Sequence, residues 1–497
     1  MNVDGLTRIL DSEHAGFVDL LGKEIEMEKV ERVYRALATA PAPTGNIMEL
    51  SVLLKRLMKE EFGWGGYNID YRVDTNRKGQ VGLVFGNLDN NETFISIVPH
   101  GDQIMFNVDE RGRGFPEGVE GKVSEGFRCV QVFPSHKNKM KSGQVWEASC
   151  YVYDPTKYTV DTWNHPGIKL LTKGVVRCVA DPDVSLQPLV EGEYEKLLSS
   201  FSLYIKPEQM PSREDYLGWR MLQRNVRNMM GNSQPAVKQG EVSQFIFEYP
   251  KKVGEIPYDA VVIYDNESYY NSGHWPIIES ACADDRAGIC AALFASDLLF
   301  RYYKKGGINV EVVDGDEINV VGPKMLVNLH ADEEGPSDRG VNWDDGGNFG
   351  TFDAVARNKV PASHAIIIDG HKEAGDTRLG NGAFFSYNPG GGYGSRTPQG
   401  LKAFLKLISQ IAHIKKIRFN MNPEYVSRSS DVDLKQYQDI INVGFPIDHP
   451  HEMPESIHLD DVVDVARAVA LISVAHAIKP IREQYLCMRH DRYRYHP

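Results

Sequence analysis

Cysteine is scarce in this chain of 497 residues, and its six copies lie far apart without CxxC or other zinc-knuckle spacing. We therefore expect reduced, mostly buried thiols. Apolar runs of about 18 residues are also missing, because Asp464, Arg467 and His476 interrupt the nearest one, so no membrane span is predicted. Near the N-terminus, Asp4 and Arg8 stand where a secretory signal needs an apolar run, which leads us to expect a cytoplasmic protein.

Basic residues are fewer than acidic residues in this chain. The 55 Lys and Arg residues face 68 Asp and Glu residues, which gives a formal net charge of −13. This balance disfavours nucleic acids and anionic membranes as partners. Hydrophobic residues make up 42% of the chain and charged residues 25%, as in a globular protein. The length predicts roughly two to four domains, or one domain that carries a large insertion.

Strand and helix patterns alternate towards the two ends of the chain. Apolar residues at helical spacing predict helices near 46–61, 286–305, 398–411 and 460–478. Short β-rich runs predict strands at 81–87, 94–98, 324–331 and 364–369. This alternation predicts an α/β fold with a mixed sheet flanked by helices. Open α/β sheets bind ligands at the carboxyl ends of their strands, so the polar residues that follow these strands are candidates for a site.

The central region, 103–272, has a different pattern. Short apolar runs separated by Gly, Pro and Asp turns predict a mostly β structure, with helical patches near 190–200 and 213–230. We therefore predict the first part of a catalytic domain at 1–102, an inserted mostly-β domain at 103–272, and the second part of the catalytic domain at 273–497. Because the insertion leaves and re-enters the catalytic sheet, it could act as a lid or an oligomerisation surface.

Side chains of the metal-binding type follow several of the predicted strands. They occur in the order His100, Asp284, Glu334, Asp369 and His451, and Glu333 directly precedes Glu334. Three carboxylates leave one positive charge uncompensated on two divalent cations, so a hydroxide shared between the metals would make the ligand shell neutral. The order therefore predicts a two-metal hydrolase in which Glu333 binds no metal and moves the proton.

Each motif also has a simpler interpretation. In HGD, the Asp102 carboxylate can orient the His100 imidazole, although a surface turn explains the motif as well. In ADDRAG, Asp284 can give one oxygen to each metal and Asp285 can fix the turn, whereas the alternative is a helix N-cap. Paired glutamates such as those of HADEEG are usually solvated, but these end an apolar strand.

Asp369 and the last histidines need separate arguments. Asp369 follows three isoleucines that need burial, and a buried aspartate without a partner would be costly, so we expect a cation beside it. The segment HPHEMPESIH contains His449, His451 and His458. It is not a zincin HExxH motif, because Glu455 stands four residues after His451.

The set of motifs resembles a known family. HxD, DDRxG, EEG, an IIxD strand and a closing H-x-x-x-E-x-x-x-x-x-D stretch are similar to the co-catalytic dinuclear metallo-aminopeptidases, most closely the tetrahedral deblocking and glutamyl aminopeptidases. The resemblance spans the whole predicted catalytic part. It implies a fold of the zinc-exopeptidase type, a bridging Asp284, a cis peptide between Asp284 and Asp285, and the remaining roles: His100, Glu334, Asp369 and His451 as ligands, Glu333 as general base and Asp102 as the residue that orients His100.

The family spacing also bears on the last ligand. His451 is preferred because His451, Glu455 and Asp461 reproduce that spacing, and His449 remains an alternative. Zinc suits imidazole and carboxylate ligands, although cobalt and manganese share them. Two such ions in each subunit are therefore expected.

The resemblance implies hydrolysis of the N-terminal peptide bond of peptides, and a large homo-oligomer such as a dodecamer. The same ligands would also serve a deacylase, a carboxypeptidase or a dipeptidase, so a related amidohydrolase is the alternative. An inactive binding or shell-forming homologue is a third interpretation, and the complete ligand set together with Glu333 argues against it.

Overall fold

The computed structural model describes the chain in segments. They are residues 2–43, 48–63, 71–75, 81–85, 94–99, 101, 103, 105–108, 126–134, 144–154, 167–180, 243–257, 260–304, 324–329, 364–372, 377–386, 399–422, 439–450, 453–478 and 481. These segments contain seven α-helices and seventeen β-strands. The α/β character predicted from the sequence is confirmed.

A mixed sheet of eight strands forms the centre of the fold. Its strands are β1 (Tyr71–Thr75), β2 (Val81–Phe85), β3 (Phe94–Val98), β12 (Lys324–Leu329), β13 (His364–Lys372), β14 (Ala383–Ser386), β15 (Phe419–Asn422) and β16 (Asp439–Ile447). The spatial order is β1-β2-β12-β3-β13-β16-β14-β15. Strand β3 is parallel to both neighbours, β12 and β13, and β13 is parallel to β16. Four parallel strands therefore occupy the middle of the sheet.

Helices accompany this sheet, and the last three of them along the chain pack against it. They are α1 (Val3–Glu13), α2 (Ala15–Leu21), α3 (Met27–Thr39), α4 (Met48–Glu60), α5 (Ala283–Lys304), α6 (Gln399–Ile414) and α7 (Leu459–Ala477). Helices α5 and α7 pack on each other, and every residue of α5 from Ala283 to Phe300 is buried, as its apolar sequence requires. No helix among the described residues is long and apolar enough to cross a membrane.

Six further strands form a closed antiparallel barrel. They are β4 (Met105–Val108), β5 (Phe127–Pro134), β6 (Val145–Asp154), β7 (Gly167–Ala180), β8 (Ser243–Pro250) and β9 (Val261–Tyr264). Inside the barrel, the ring of Tyr264 packs edge-on against Phe106 at 5.5 Å and Trp146 at 5.2 Å. The helical patches predicted near 190–200 and 213–230 lie outside the described residues, and the domain boundaries stay predictions.

A three-stranded sheet links the barrel to α5. Its strands are β10 (Asn271–His274), β11 (Ile277–Ser280) and β17 (Glu455–His458), and β11 is antiparallel to both others. Ser280 pairs with Glu455 in this register. The chain therefore enters α5 beside the start of β17, which brings the turn at Asp284 next to Glu455.

Candidate functional site

Strand β13 carries Asp369 to the carboxyl end of the parallel strands. The three isoleucines before it are at most 1% exposed, and Asp369 itself is 8% exposed. At Gly370 a Cβ atom would collide with the Ile447 side chain, so the close approach of β16 requires glycine. That Cβ position would also lie 3.4 Å from Asp284 Oδ1. Asp284 therefore lies beside Gly370, the residue that follows Asp369 in β13.

Two hydrogen bonds hold the turn that contains Asp284 and Asp285 at the N-terminal end of α5. The Asp284 N–H donates to Glu455 Oε2 at 3.0 Å, and the Gly288 N–H donates to Asp285 Oδ1 at 3.0 Å. Both aspartates are buried and have non-helical backbone angles, and the peptide bond between them is cis. The cis peptide implied by the family resemblance is confirmed, and Asp285 fixes the turn as expected.

Of the seven predicted site residues, Asp284 and Asp369 lie in the described parts of the chain. Asp369 lies within β13, and Asp284 lies beside the next residue of that strand, Gly370. The others lie outside the described residues, and their roles stay predictions: His100, Asp102, Glu333, Glu334 and His451.

Two adjacent strands end shortly before residues that were predicted for the site. Strand β3 ends at Val98, two residues before His100, and β12 ends at Leu329, a few residues before Glu333. Because β12, β3 and β13 are adjacent and parallel, their carboxyl ends lie at one edge of the sheet. We call this the carboxyl edge, defined by Val98, Leu329 and Asp369.

Two histidines near the carboxyl edge differ in exposure. The His449 side chain is 58% exposed, and its Nδ1 lies 2.9 Å from Asp448 Oδ1. The choice between His449 and His451 stays open, because His451 lies outside the described residues. His371 is buried and packs against Phe384, with ring centroids 5.3 Å apart. Burial lowers the pKa of His371 to about 4, against the opposite effect of the Asp284 charge, so its imidazole is neutral at pH 7.

The Asp461 carboxylate binds backbone N–H groups of the turn just before β14. Its two carboxylate oxygens accept the N–H groups of Gly380 at 2.8 Å and Gly382 at 2.6 Å. Both glycines have positive φ angles, of 85° and 88°, which other residues rarely adopt. Arg418 lies beside this group, since its Nε donates to Asp464 Oδ2 at 2.6 Å and it also donates to the Gly380 carbonyl. Burial raises the pKa of Asp461 to about 7, although the two N–H groups and Arg418 lower it.

Several solved structures share this architecture. The TET aminopeptidase from the marine sediment archaeon Thaumarchaeota archaeon SCGC AB-539-E09 is 13% identical with a TM-score of 0.53, over 92% of this chain and 99% of its own. The aminopeptidase APDkam598 from the archaeon Desulfurococcus kamchatkensis is 16% identical with a TM-score of 0.51, over 92% and 98%. This chain has the fold of these aminopeptidases.

A further structure, of Ape4 in complex with Nbr1, is 10% identical with a TM-score of 0.52, over 95% of this chain and 88% of that one. No protein-family model matches the sequence, and no curated protein matches it. At such low identities the likeness is one of fold. It supports the family resemblance at that level.

The carboxyl edge carries two buried carboxylates, Asp284 and Asp369, each 8% exposed. Carboxylate oxygens are common ligands of divalent cations. The described residues alone contain no group of three or more His, Cys, Asp or Glu side chains that could hold a metal ion. A complete site therefore depends on the predicted ligands outside those residues.

Several contacts at this edge were not predicted from the sequence. Glu455 and Asp461 entered the sequence analysis only through their spacing, whereas the structure shows which N–H groups they bind. Glu455 lies shortly before α7, and Asp461 lies in its first turn. Acidic residues at these positions are only a weak sequence signal for such a role. Gln103, Asn266 and Arg286, which are buried nearby, carry no motif that would have marked them.

Proposed function

We propose that the protein is a metal-dependent aminopeptidase that hydrolyses the N-terminal peptide bond of peptides. The observation that carries the proposal is the position of Asp284 and Asp369 at the carboxyl edge, both buried, in a fold shared with aminopeptidases. A fold alone does not determine an activity. Buried carboxylates at the carboxyl ends of parallel strands add the chemistry that a metal-dependent hydrolase needs.

Five residues would hold two divalent cations: His100, Asp284, Glu334, Asp369 and His451. When bound, the cations would lower the pKa of a water molecule and polarise the scissile carbonyl group. The Asp284 carboxylate has two oxygens and would give one to each cation. Its orientation is supported by the hydrogen bond from its own N–H to Glu455 and by the turn that Asp285 closes.

Glu333 is the proposed general base. On an extended segment, neighbouring side chains point in opposite directions, so Glu334 would bind metal while Glu333 faces the substrate. Glu333 would accept a proton from the attacking water and then donate it to the nitrogen of the leaving amine. Asp102 would accept a hydrogen bond from the His100 imidazole and so fix its orientation.

The proposal includes a metal, a location and an assembly. Zinc is the first choice because imidazole and carboxylate ligands suit it, with cobalt and manganese as alternatives. We propose a cytoplasmic homo-oligomer, with a dodecamer as one possible size.

Metal analysis of the purified protein, together with a substrate panel, tests the proposal. We expect two divalent ions in each subunit and hydrolysis of aminoacyl-p-nitroanilides. Cleavage of N-acyl amino acids without aminopeptidase activity would instead identify a deacylase. No more than one ion in each subunit after metal supplementation would contradict the two-metal site.

The Glu333→Gln variant tests the proposed base. We expect kcat to fall by about 10²- to 10⁴-fold, because the variant cannot accept the proton of the water. Metal content should stay at the wild-type level, since Glu333 is not a ligand in this scheme. Turnover at the wild-type rate would show that another group is the base.

A further inference from the structure

Four segments of the chain meet in one buried polar group next to the carboxyl edge. They are the C-cap of α3 at Ala40, the chain that enters the barrel at Gln103, the chain that leaves it at Asn266, and the start of α5 at Arg286. Gln103 is 2% exposed, Asn266 is 5% exposed and Arg286 is fully buried. We call this group the crossing junction, defined by Ala40, Ala42, Gln103, Asn266 and Arg286.

The two side-chain amides of the crossing junction bind each other reciprocally. Gln103 Nε2 donates to Asn266 Oδ1 at 2.9 Å, and Asn266 Nδ2 donates to Gln103 Oε1 at 3.0 Å. These residues are 163 positions apart and stand where the chain enters and leaves the barrel. Two hydrogen bonds in opposite directions fix both the distance and the relative angle between the segment that enters the barrel and the segment that leaves it.

The same side chains hold the segment after α3. The Ala42 N–H donates to Gln103 Oε1 at 3.3 Å, and the Gln103 N–H donates to the Ala42 carbonyl at 2.9 Å. The Ala40 carbonyl accepts Asn266 Nδ2 at 3.0 Å and Arg286 Nη2 at 3.3 Å. In the described part of the chain, Nε and Nη1 of Arg286 have no hydrogen-bond partner, so its bond to Ala40 is the contact that directs this buried guanidinium.

We propose that Gln103 and Asn266 are positioning residues, which set the spacing between the two chain segments that carry the first two proposed metal ligands. Gln103 stands three residues after His100, and Arg286 stands two residues after Asp284. The crossing junction ties both segments to the backbone of residues 40–42, which follow α3. This inference rests on the proposed function, because spacing between ligands matters only if these residues bind metal.

The polar character of the crossing junction favours positioning over simple burial. Apolar side chains of similar volume would fill the space without the cost of burying amides and a guanidinium. They would not, however, fix direction, because hydrophobic contacts are non-directional. Residues that orient metal ligands typically change metal affinity or activity by about 10- to 100-fold when they are replaced.

The test uses the full-length chain with Gln103→Ala, Asn266→Ala and the double variant. Asn271→Ala is the control, because its Nδ2 also donates to a side chain, Glu279 Oε2 at 3.1 Å, but on an exposed hairpin. The readouts are zinc affinity of the metal-free protein by calorimetry, kcat and KM on an aminoacyl-p-nitroanilide, and the thermal midpoint. Each single variant should lose about 10- to 100-fold in zinc affinity and in kcat, with KM within about threefold.

Coupling between the two positions is the decisive result. The double variant should lose clearly less than the product of the two single losses, because each replacement already breaks the reciprocal pair. The control should match the wild type in all readouts. Multiplicative losses in the double variant, or lower thermal midpoints with wild-type zinc affinity and kcat, would overturn the inference. If the alanine variants do not fold, the nearly isosteric Gln103→Glu variant, which replaces the Nε2 donor with a carboxyl oxygen that faces Asn266 Oδ1, should show losses of at least the same size in a folded protein.

The two proposals fail in different ways. A wild-type protein that binds no zinc and cleaves no aminoacyl substrate would remove the proposed function, and with it the role of the crossing junction. An active, zinc-binding wild type whose Gln103 and Asn266 variants are unchanged would remove only the crossing junction.

Discussion

The barrel and the carboxyl edge of the main sheet treat buried carboxylates differently. In the barrel, buried Glu248 pairs with Arg177 at 2.7 Å, and at its end buried Asp265 pairs with Lys173 at 2.8 Å. At the carboxyl edge, Asp369 is buried in β13 and the buried Asp284 lies beside the next residue, Gly370. The barrel pairs its buried carboxylates with cationic side chains of its own strands, whereas in the proposed function the carboxylates at the edge would bind divalent cations.

The largest effect is expected from replacing Asp284, the carboxylate that is proposed to bind both metal ions. The Asp284→Asn variant keeps the size of the side chain but removes its charge and one potential metal-binding oxygen. We expect kcat/KM to fall by at least about 10³-fold and the metal content to drop, with the circular dichroism of the wild type. Wild-type metal content and activity in this variant would break the distinction between edge and barrel.

An intermediate effect is expected in the barrel. Arg177→Met leaves Glu248 buried without the partner that binds it at 2.7 Å and 3.3 Å. We expect the free energy of unfolding to fall by about 1–3 kcal/mol, measured by denaturant titration, with kcat unchanged. The exposed pair of Arg56 and Glu60 provides the control, since Arg56→Met should change stability by less than about 1 kcal/mol. A loss of activity in Arg177→Met would show that the barrel pair also acts on the site.

The smallest effect is a change in pH dependence. Burial raises the pKa of Asp461 from 3.8 to about 7 in the folded protein. Because the folded-state pKa lies above the unfolded value, the stabilising contribution is fully present below pH 4 and is lost as the pH rises through 7. The Asp461→Asn variant lacks this titration, so its free energy of unfolding should fall less steeply than that of the wild type between pH 4 and pH 7. Parallel curves would show that Asp461 does not titrate in that range.

Regular periodicity made much of the fold predictable. Strand β3 was predicted with its observed bounds, 94–98, and the helix predicted near 46–61 is α4, because each has a local pattern of apolar residues. Helices α1 to α3 were not predicted, although the buried positions of α3, among them Val30, Val33 and Leu37, follow helical spacing. Strand β16 was also missed. Its Gly444 and Pro446 are typical of turns, and parallel pairing with β13 overrides that local preference.

The sequence by itself determined the chemistry that this protein can offer: acids placed directly after apolar strands, in an order typical of a two-metal hydrolase. Three isoleucines that need burial fix the position of the acid that follows them, and Asp369 is buried within β13 accordingly. Only the tertiary structure decided that Gln103 meets Asn266, and that Glu455 accepts the N–H of Asp284 across 171 positions. Such pairs join side chains with no common period along the chain, so they exist only once the sheet, the barrel and α5 have packed together.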